Sequence, residues 1–585
     1  MKQGERTSKT AENDISIVLC GGAGLGIQTV EQLLTRMLKL SGYYVFATKE
    51  YMSRVRGGSN STQIRVSDKP VQAPVQRIDI LIPLDKDAIS HLDHRIDDKT
   101  IIIGDKDRLK TDRKVINISY LEMAKEIGNA IYANTIAVGL LLGLLEGDIK
   151  EGKKYLKGYF TQKKKEDFIP DNIRALEKGF QEAARLVKEK HINSDKFLHM
   201  KKSKEIKDDL LMNGAESVGL GALAGGCNFI SSYPMSPSTG VLVFLSQHAH
   251  DFDMISEQAE DEIAAINMAI GAWYSGARAM VTTSGGGLAL MTEGISLAGI
   301  LESPMVIHLA QRPGPATGLP TRTEQGDLQL ALYAGHGEFP RIILAPGKIE
   351  DAYQLTQKAF YWADKYQIPV FILTDQYTMD TYYNIKQLDV PKGKIERFIT
   401  ETDANYKRYH LKTDNGVSPR GIPDNGKGLV RVDSDEHDEN GLITEDMDTR
   451  NKMMEKRMDK MILIKEEAYI PELIGPEAYR ILCIGWGSTY HVIKEALDRL
   501  DLPDVALLHF KQVYPVAEES IKFLKKAEQI ISIENNYTGQ FGRLLETSTG
   551  IDIGTKILKY NGLPFYADEL AEEINETIFG KGDKK

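Results

Sequence analysis

Three stretches of this 585-residue chain join reactive side chains to stiff backbone. The first is Tyr233-Pro-Met-Ser-Pro237-Ser-Thr239. Its prolines fix φ and push the residues before them to extended geometry, so Ser236 presents its hydroxyl from a rigid turn. The competing reading is a helix start, with Ser236 or Ser238 as N-cap and Pro237 first in the helix. The second is Glu257-Gln-Ala-Glu-Asp-Glu262, which runs into Ile263-Ala-Ala-Ile-Asn-Met-Ala-Ile-Gly271. Favourable interaction with a helix dipole accounts for Glu257, Glu260 and Asp261. Glu262 abuts the apolar spacing of Ile266, Ala269 and Ile270, so its carboxylate is partly buried and needs a partner. A protonatable ring nitrogen is one such partner. The third is Gln311-Arg312-Pro-Gly-Pro-Ala-Thr-Gly-Leu-Pro-Thr321. Arginine offers a two-pronged donor to a carboxylate, and Thr321 can add a hydroxyl. The alternative is a structural arginine bonded to loop carbonyls.

A glycine turn, Gly21-Gly-Ala-Gly-Leu-Gly26, follows the buried-strand pattern Ile15-Ser-Ile-Val-Leu-Cys20 and precedes a helical run. Such a turn lets backbone approach a phosphate at a helix N-terminus. Its spacing is not Gly-x-Gly-x-x-Gly, because Ala23 takes the second glycine position, so a phosphate ligand and plain tight packing both stay open. Arg54-Val-Arg56-Gly-Gly58 adds two cations on a loop, and solvated arginines are the simpler account of them.

The elements that must position these groups alternate strand and helix, which predicts an α/β fold. Strands are expected at 15–20, 43–48, 78–83 and 99–104, in a mostly parallel sheet. A lysine-rich stretch follows and reads as a linker. A second series places strands at 227–232, 278–283, 305–310, 341–344 and 369–375, with an alanine-rich helix over about 257–274. The turns at Tyr233 and Arg312 then fall at the carboxyl ends of strands, where doubly wound sheets bind ligands. A polar stretch from 396 reads as a long connection, helical near 450–461. A third series has strands at 480–484, 505–509 and 529–534. The division is 14–190, a linker at 191–208, 209–395, a connection at 396–470, and 471–585.

Composition removes other classes. The formal net charge is −10, which argues against nucleic acid as the main ligand. The three cysteines, Cys20, Cys227 and Cys483, are far apart, so neither a disulfide framework nor an iron–sulfur cluster held by this chain alone is expected. The longest apolar run, residues 136–145, is shorter than the ~20 residues a membrane span takes. The polar start reads as a disordered tail, and a cytoplasmic protein is expected.

Taken together, the Tyr-Pro-Met-Ser-Pro turn, Glu262 in Glu-Asp-Glu-Ile-Ala-Ala, the Arg312 loop, Gly335-His-Gly-Glu-Phe-Pro-Arg341 and Ser53-Arg-Val-Arg-Gly-Gly58 resemble the α subunits of 2-oxoacid:ferredoxin oxidoreductases with a γ-type domain fused in front. The likeness spans residues 15 to about 578. It departs where Met235 and Ser236 replace the usual isoleucine and threonine, and where Ala23 and Leu25 replace glycine and glutamine.

The resemblance implies three α/β domains: a γ-type unit, a central thiamine-diphosphate pyrimidine-binding unit, and a transketolase-C-terminal-like unit. It implies that Tyr233, Pro234 and Glu262 hold the cofactor, Glu262 at the pyrimidine nitrogen, and that Ser236 bonds near its reactive carbon. Arg312 and Thr321 would take the 2-oxoacid, most simply 2-oxoglutarate, with pyruvate or a branched-chain 2-oxoacid as alternatives. CoA is the implied co-substrate and ferredoxin the electron acceptor. No Gly-Asp-Gly segment occurs here. The resemblance therefore puts Mg²⁺, the diphosphate and a [4Fe-4S] cluster on a β subunit, in an (αβ)2 heterotetramer. A self-sufficient thiamine lyase and a non-catalytic nucleotide-binding regulatory subunit are the competing readings.

Overall fold

The computed structural model describes residues 14–53, 58–192, 200–413 and 415–580. The polar start, Arg54 and Arg56, and much of the expected linker lie outside them.

The first sheet has eight strands, in the order Val115–Asn117, Ile101–Gly104, Ile80–Pro83, Asp14–Gly22, Ser59–Ser67, Tyr44–Glu50, Tyr382–Ile385 and Leu210–Asn213. The first four pair in parallel and the remaining neighbours antiparallel. The expectation of a mostly parallel sheet is corrected: this sheet is mixed. The cause is Ser59–Ser67, a polar segment inserted beside Asp14–Gly22. Three of its buried polar side chains find distant partners, as buried polar groups require. Gln63 donates to Ser16 and to the Val75 carbonyl, Thr62 to Glu31, and Arg65 to Asp14. The two last strands come from beyond the linker, so the first and central units share an edge.

The apolar run becomes helix Ala133–Leu144, buried against helix Ile169–Lys188. They approach so closely that a Cβ on Gly139 would lie 2.1 Å from the Leu176 carbonyl oxygen. Among the described residues no helix is long and apolar enough to cross a membrane.

The central sheet has seven strands: Gln512–Tyr514, Ile342–Leu344, Pro369–Asp375, Met305–Gln311, Ala279–Thr283, Phe229–Ser232 and Ile255–Gln258. All neighbours are parallel except the first pair. Its middle strands are buried along their whole length, as a parallel sheet covered on both faces requires. One element differs from expectation. Residues 255–258 form an edge strand against Phe229–Ser232 instead of starting a helix. The helix, Glu262–Tyr274, begins only where the Asp261 side chain accepts the Ala264 N–H at 2.7 Å.

The third sheet orders Glu472–Ile474, Val505–Phe510, Ile481–Trp486, Gln529–Glu534 and Thr555–Leu558, parallel but for its first pair. The connection between the central and last units carries helix Met447–Glu466, longer than expected. Two buried ion clusters pin this connection. Asp364 takes Arg278 and Arg420, and Glu302 takes Lys456 and Lys460. Removing one member of such a cluster costs about 3–5 kcal/mol, because it strands a buried charge.

Candidate active site

Four strands of the central sheet release their chains at one edge. Phe229–Ser232 ends in the turn that carries Ser236, then helix Thr239–His248 begins. The Ser238 hydroxyl donates to the Met235 carbonyl at 2.7 Å and makes no cap bond. The helix-start reading therefore does not account for this turn. Ser236 and Tyr233 are exposed, and the Ser236 carbonyl accepts Arg312 Nη1 at 2.6 Å. Arg312 leaves the end of Met305–Gln311, so the structure brings it to Ser236.

Glu262 opens its helix only 3% exposed. It packs on the Ser284-Gly-Gly-Gly287 turn that follows Ala279–Thr283. A Cβ on Gly287 would lie 2.7 Å from both Glu262 Cγ and Oε1, so this position must be glycine for the carboxyl to lie there. Glu262 Oε1 is buried without a hydrogen-bond partner. So are Ser284 Oγ, at the uncapped start of helix Gly285–Ile300, and Asp327 Oδ2, whose carboxyl lies against Gly285. Buried polar atoms are satisfied in the great majority of cases. Three exceptions along one glycine turn mark a polar ligand site, and the helix end adds a positive field.

The Arg312 loop is anchored along its length. Gln311 holds both roots: its side chain donates to the Thr374 carbonyl at 3.1 Å and accepts the Asp327 N–H at 3.0 Å. Gln325 exchanges two bonds with the Asn535 backbone, at 2.7 and 2.9 Å, and donates to the Trp486 carbonyl at 2.8 Å. Thr321, 8% exposed, donates its hydroxyl to the Tyr51 carbonyl at 2.5 Å, and Arg322 pairs with Glu50 at 2.6 Å. Thr321 thus ties the loop to the first unit, while Arg312 meets Ser236.

Burial lowers the pKa of Arg312, and Asp327 opposes that shift. Burial raises Asp327 to about 6 against the pull of Arg312, and burial with the charge of Asp327 raises Glu324 to about 7. Sequence reasoning passed over Asp327, Glu324 and Ser284. Their signals were an acidic pair closing a proline–glycine loop and three successive glycines after a strand.

The turn at residues 21–26 is open at Ala23, Gly24 and Leu25, and the chain's own side chains meet it at Gly22 and Gly26. The Gly22 N–H donates to Asp85 at 2.5 Å, and a Cβ on Gly26 would lie 2.1 Å from Asn134 Nδ2. All three cysteines are free and buried, and burial pushes each thiol to about 12. Among the described residues no group of three or more His, Cys, Asp or Glu is placed to hold a metal.

Known proteins resemble this chain in sequence and fold. A family profile described as pyruvate flavodoxin/ferredoxin oxidoreductase, thiamine diphosphate-binding, matches residues 220–456, and one described as pyruvate ferredoxin/flavodoxin oxidoreductase matches residues 16–182. The 2-oxoacid:ferredoxin oxidoreductase subunit alpha of Sulfolobus sp is 32% identical over 96% of this chain and 97% of its own length. The chain belongs to the 2-oxoacid:ferredoxin oxidoreductase α-subunit family.

A second relative is the 2-oxoglutarate synthase subunit KorA of Archaeoglobus fulgidus, 32% identical over 56% of this chain and 88% of its own. A solved structure of 2-oxoglutarate:ferredoxin oxidoreductase from Magnetococcus marinus, with 2-oxoglutarate, coenzyme A and succinyl-CoA bound, superposes with a TM-score of 0.89. It is 29% identical and covers 97% of this chain and all of that one. The family assignment makes the chain part of an oxidoreductase enzyme, with a thiamine-diphosphate-binding central unit. Ser236, Glu262, Arg312 and Thr321 all lie within the matched binding segment. The unpartnered Glu262 oxygen fits a cofactor ring nitrogen, since a buried carboxylate needs a donor and the described protein supplies none to that atom.

Proposed function

We propose that this chain takes part in CoA-dependent oxidative decarboxylation of 2-oxoglutarate to succinyl-CoA and CO2, or the reverse, with electrons exchanged with ferredoxin. The observation that carries the proposal is Glu262 Oε1, buried and unpartnered beside the glycine turn at the carboxyl edge of the central sheet. Thiamine diphosphate, when bound, supplies the carbanion chemistry of such a reaction. Glu262 accepts the proton-bearing ring nitrogen and holds its tautomer. Tyr233 and Pro234 line the approach, and the Ser236 hydroxyl bonds near the reacting carbon. Arg312 binds the anionic 2-oxoacid, with its guanidinium already anchored at the Ser236 carbonyl. Thr321 acts one step away: by bonding Tyr51 it holds the loop that carries Arg312.

A β subunit supplies Mg²⁺, the diphosphate contacts and a [4Fe-4S] cluster, in a cytoplasmic (αβ)2 assembly. The absence of Gly-Asp-Gly from this sequence supports that division. The sequence units 14–190, 209–395 and 471–585 then form one working body, with edge strands exchanged between neighbours. A nucleotide-binding regulatory role is disfavoured by Asp85, whose carboxylate occupies the first turn where a phosphate would sit.

Arg312→Ala in the assembled enzyme tests the reading. We expect kcat/KM for 2-oxoglutarate to fall at least about 100-fold, the scale of a lost desolvated charge pair, with thiamine diphosphate binding retained. Full activity would remove Arg312 from the mechanism. Higher kcat/KM for pyruvate or a branched-chain 2-oxoacid in the unaltered enzyme would replace 2-oxoglutarate as the substrate.

A further inference from the structure

The third unit supplies no side chain to the reaction as described so far, yet it holds the root of the Arg312 loop. In that unit, helix Gln540–Thr549 follows strand Gln529–Glu534. The first N–H groups of the helix are satisfied without the side chain of Gln540. Those of Gly539 and Gln540 donate to Asn536 Oδ1 at 2.7 and 3.3 Å, and those of Phe541 and Gly542 donate to the buried Glu534 carboxylate at 2.9 and 2.8 Å. Among the described residues, both hydrogen bonds of the Gln540 side chain go to the central unit. Its Oε1 accepts the Gln329 N–H at 2.9 Å, and its Nε2 donates to the Gly326 carbonyl at 2.7 Å.

That carbonyl belongs to the peptide unit that carries the Asp327 N–H. The Asp327 N–H donates to Gln311 Oε1 at 3.0 Å, and Gln311 Nε2 donates to the Thr374 carbonyl at 3.1 Å. Three amides thus stand in line from the third unit to the end of strand Met305–Gln311: the Gln540 side chain, the Gly326–Asp327 peptide and the Gln311 side chain. Each accepts at its oxygen and donates at its nitrogen in the same sense, so the bonds polarise one another. The Gln329 and Asp327 N–H groups fix which atom of each side-chain amide is the oxygen, since only the oxygen accepts. Gln311 is 1% exposed and one peptide bond from Arg312.

We propose that Gln540 is a positioning residue for Arg312: through the Gly326–Asp327 peptide and Gln311, it makes the third unit set where the substrate arginine stands. This rests on the assignment of Arg312 to the 2-oxoacid. Among the described residues the Arg312 guanidinium has one hydrogen bond, to the Ser236 carbonyl. Its placement therefore depends on the backbone that carries it, and the return of that loop is pinned between Gln540 and Gln311. A small misplacement of a binding group costs a large factor in rate. Gln325 keeps its own bonds to Asn535 and Trp486 when Gln540 is changed, so the displacement is partial.

The test is steady-state kinetics of the assembled enzyme carrying Gln540→Met, which keeps the length and helix propensity of the side chain and removes both bonds. KM for 2-oxoglutarate should rise about tenfold while kcat stays within about twofold, because a guanidinium that holds the substrate throughout contributes equally before and in the transition state. Gln540→Ala should give the same rise, and it stands in if the methionine variant does not assemble. On an Arg312→Ala background, Gln540→Met should change kcat/KM by less than about twofold, since a residue that acts through Arg312 has nothing left to act on. Bonds that merely fasten the third unit would lower the melting temperature and leave KM alone. An unchanged KM in either single variant, or a loss confined to kcat, overturns the proposal. So does a further loss of about tenfold on the Arg312→Ala background. If Arg312→Ala keeps full kcat/KM, the assignment of Arg312 itself fails. If Arg312→Ala loses activity as expected while Gln540→Met keeps its KM, only the role of Gln540 fails.

Discussion

Two turns in this molecule start from the same plan of buried strand, glycines and helix, and they end differently. At residues 21–26 the protein's own side chains meet the ends of the turn: Asp85 takes the Gly22 N–H and Asn134 crowds Gly26. At Ser284-Gly-Gly-Gly287 the surrounding polar atoms are left waiting, with Glu262 Oε1, Ser284 Oγ and Asp327 Oδ2 buried and unpartnered. Glycine permits close approach in both, so glycine content does not distinguish them. The distinction is whether the hydrogen-bonding capacity around the turn is met by the chain itself. A closed turn of this kind is a packing device, and an open one calls for a ligand.

The largest break of this comparison is at Glu262. Replacing it with glutamine keeps its shape and removes the charge that stabilises a protonated ring nitrogen. Turnover should fall by about 10²-fold or more, the range for a positioned acid–base group, while the melting temperature holds or rises. Retention of more than about half the activity would mean that the open turn is not the cofactor's site. A step smaller is Gly287→Ala. The added methyl would stand 2.7 Å from Glu262 Oε1 and 2.1 Å from Thr283 Oγ1, so the carboxyl must move. A displacement of that kind should cost about tenfold or more in kcat. An unchanged kcat would show that the placement of Glu262 by this turn does not matter.

The open turn was half legible in the sequence. Glu262 could be read as buried because its neighbours Ile266, Ala269 and Ile270 repeat at helical spacing, and the Arg312 loop announces itself through its local prolines and glycines. Asp327 could not be read, since what makes it notable is Gly285, on a helix that meets it only after folding. Strand Ser59–Ser67 escaped for a related reason. Its Gln63 and Arg65 look solvated until Ser16 and Val75 take the Gln63 amide N–H groups and Asp14 takes the Arg65 guanidinium. The connection from residue 396 reads as loose because Asp364 and Glu302, which anchor it, lie far away in the chain. Local stiffness and periodicity are written in the sequence, whereas the satisfaction of buried polar groups is decided by residues that meet only in the fold.

The smallest effect is expected at the closed turn, and it sharpens the contrast most. Asp85 accepts the Gly22 N–H through Oδ2 and the Asp87 and Ala88 N–H groups through Oδ1, both at 3.0 Å. In Asp85→Asn only one oxygen remains, so the amide must abandon either Gly22 or the start of helix Asp87–His91. The loss of one charge-assisted bond should lower unfolding stability by about 1–2 kcal/mol, measured by denaturant titration. Turnover should stay within about twofold, because this turn supplies nothing to the reaction. Removing the carboxylate also removes the repulsion that keeps phosphate away from Gly22. If Asp85→Asn then bound a nucleotide tightly while the unaltered protein did not, the turn would be a phosphate site held shut by one side chain. Continued indifference to nucleotide would show that backbone geometry alone, with Ala23 in place of the second glycine, is enough to exclude it.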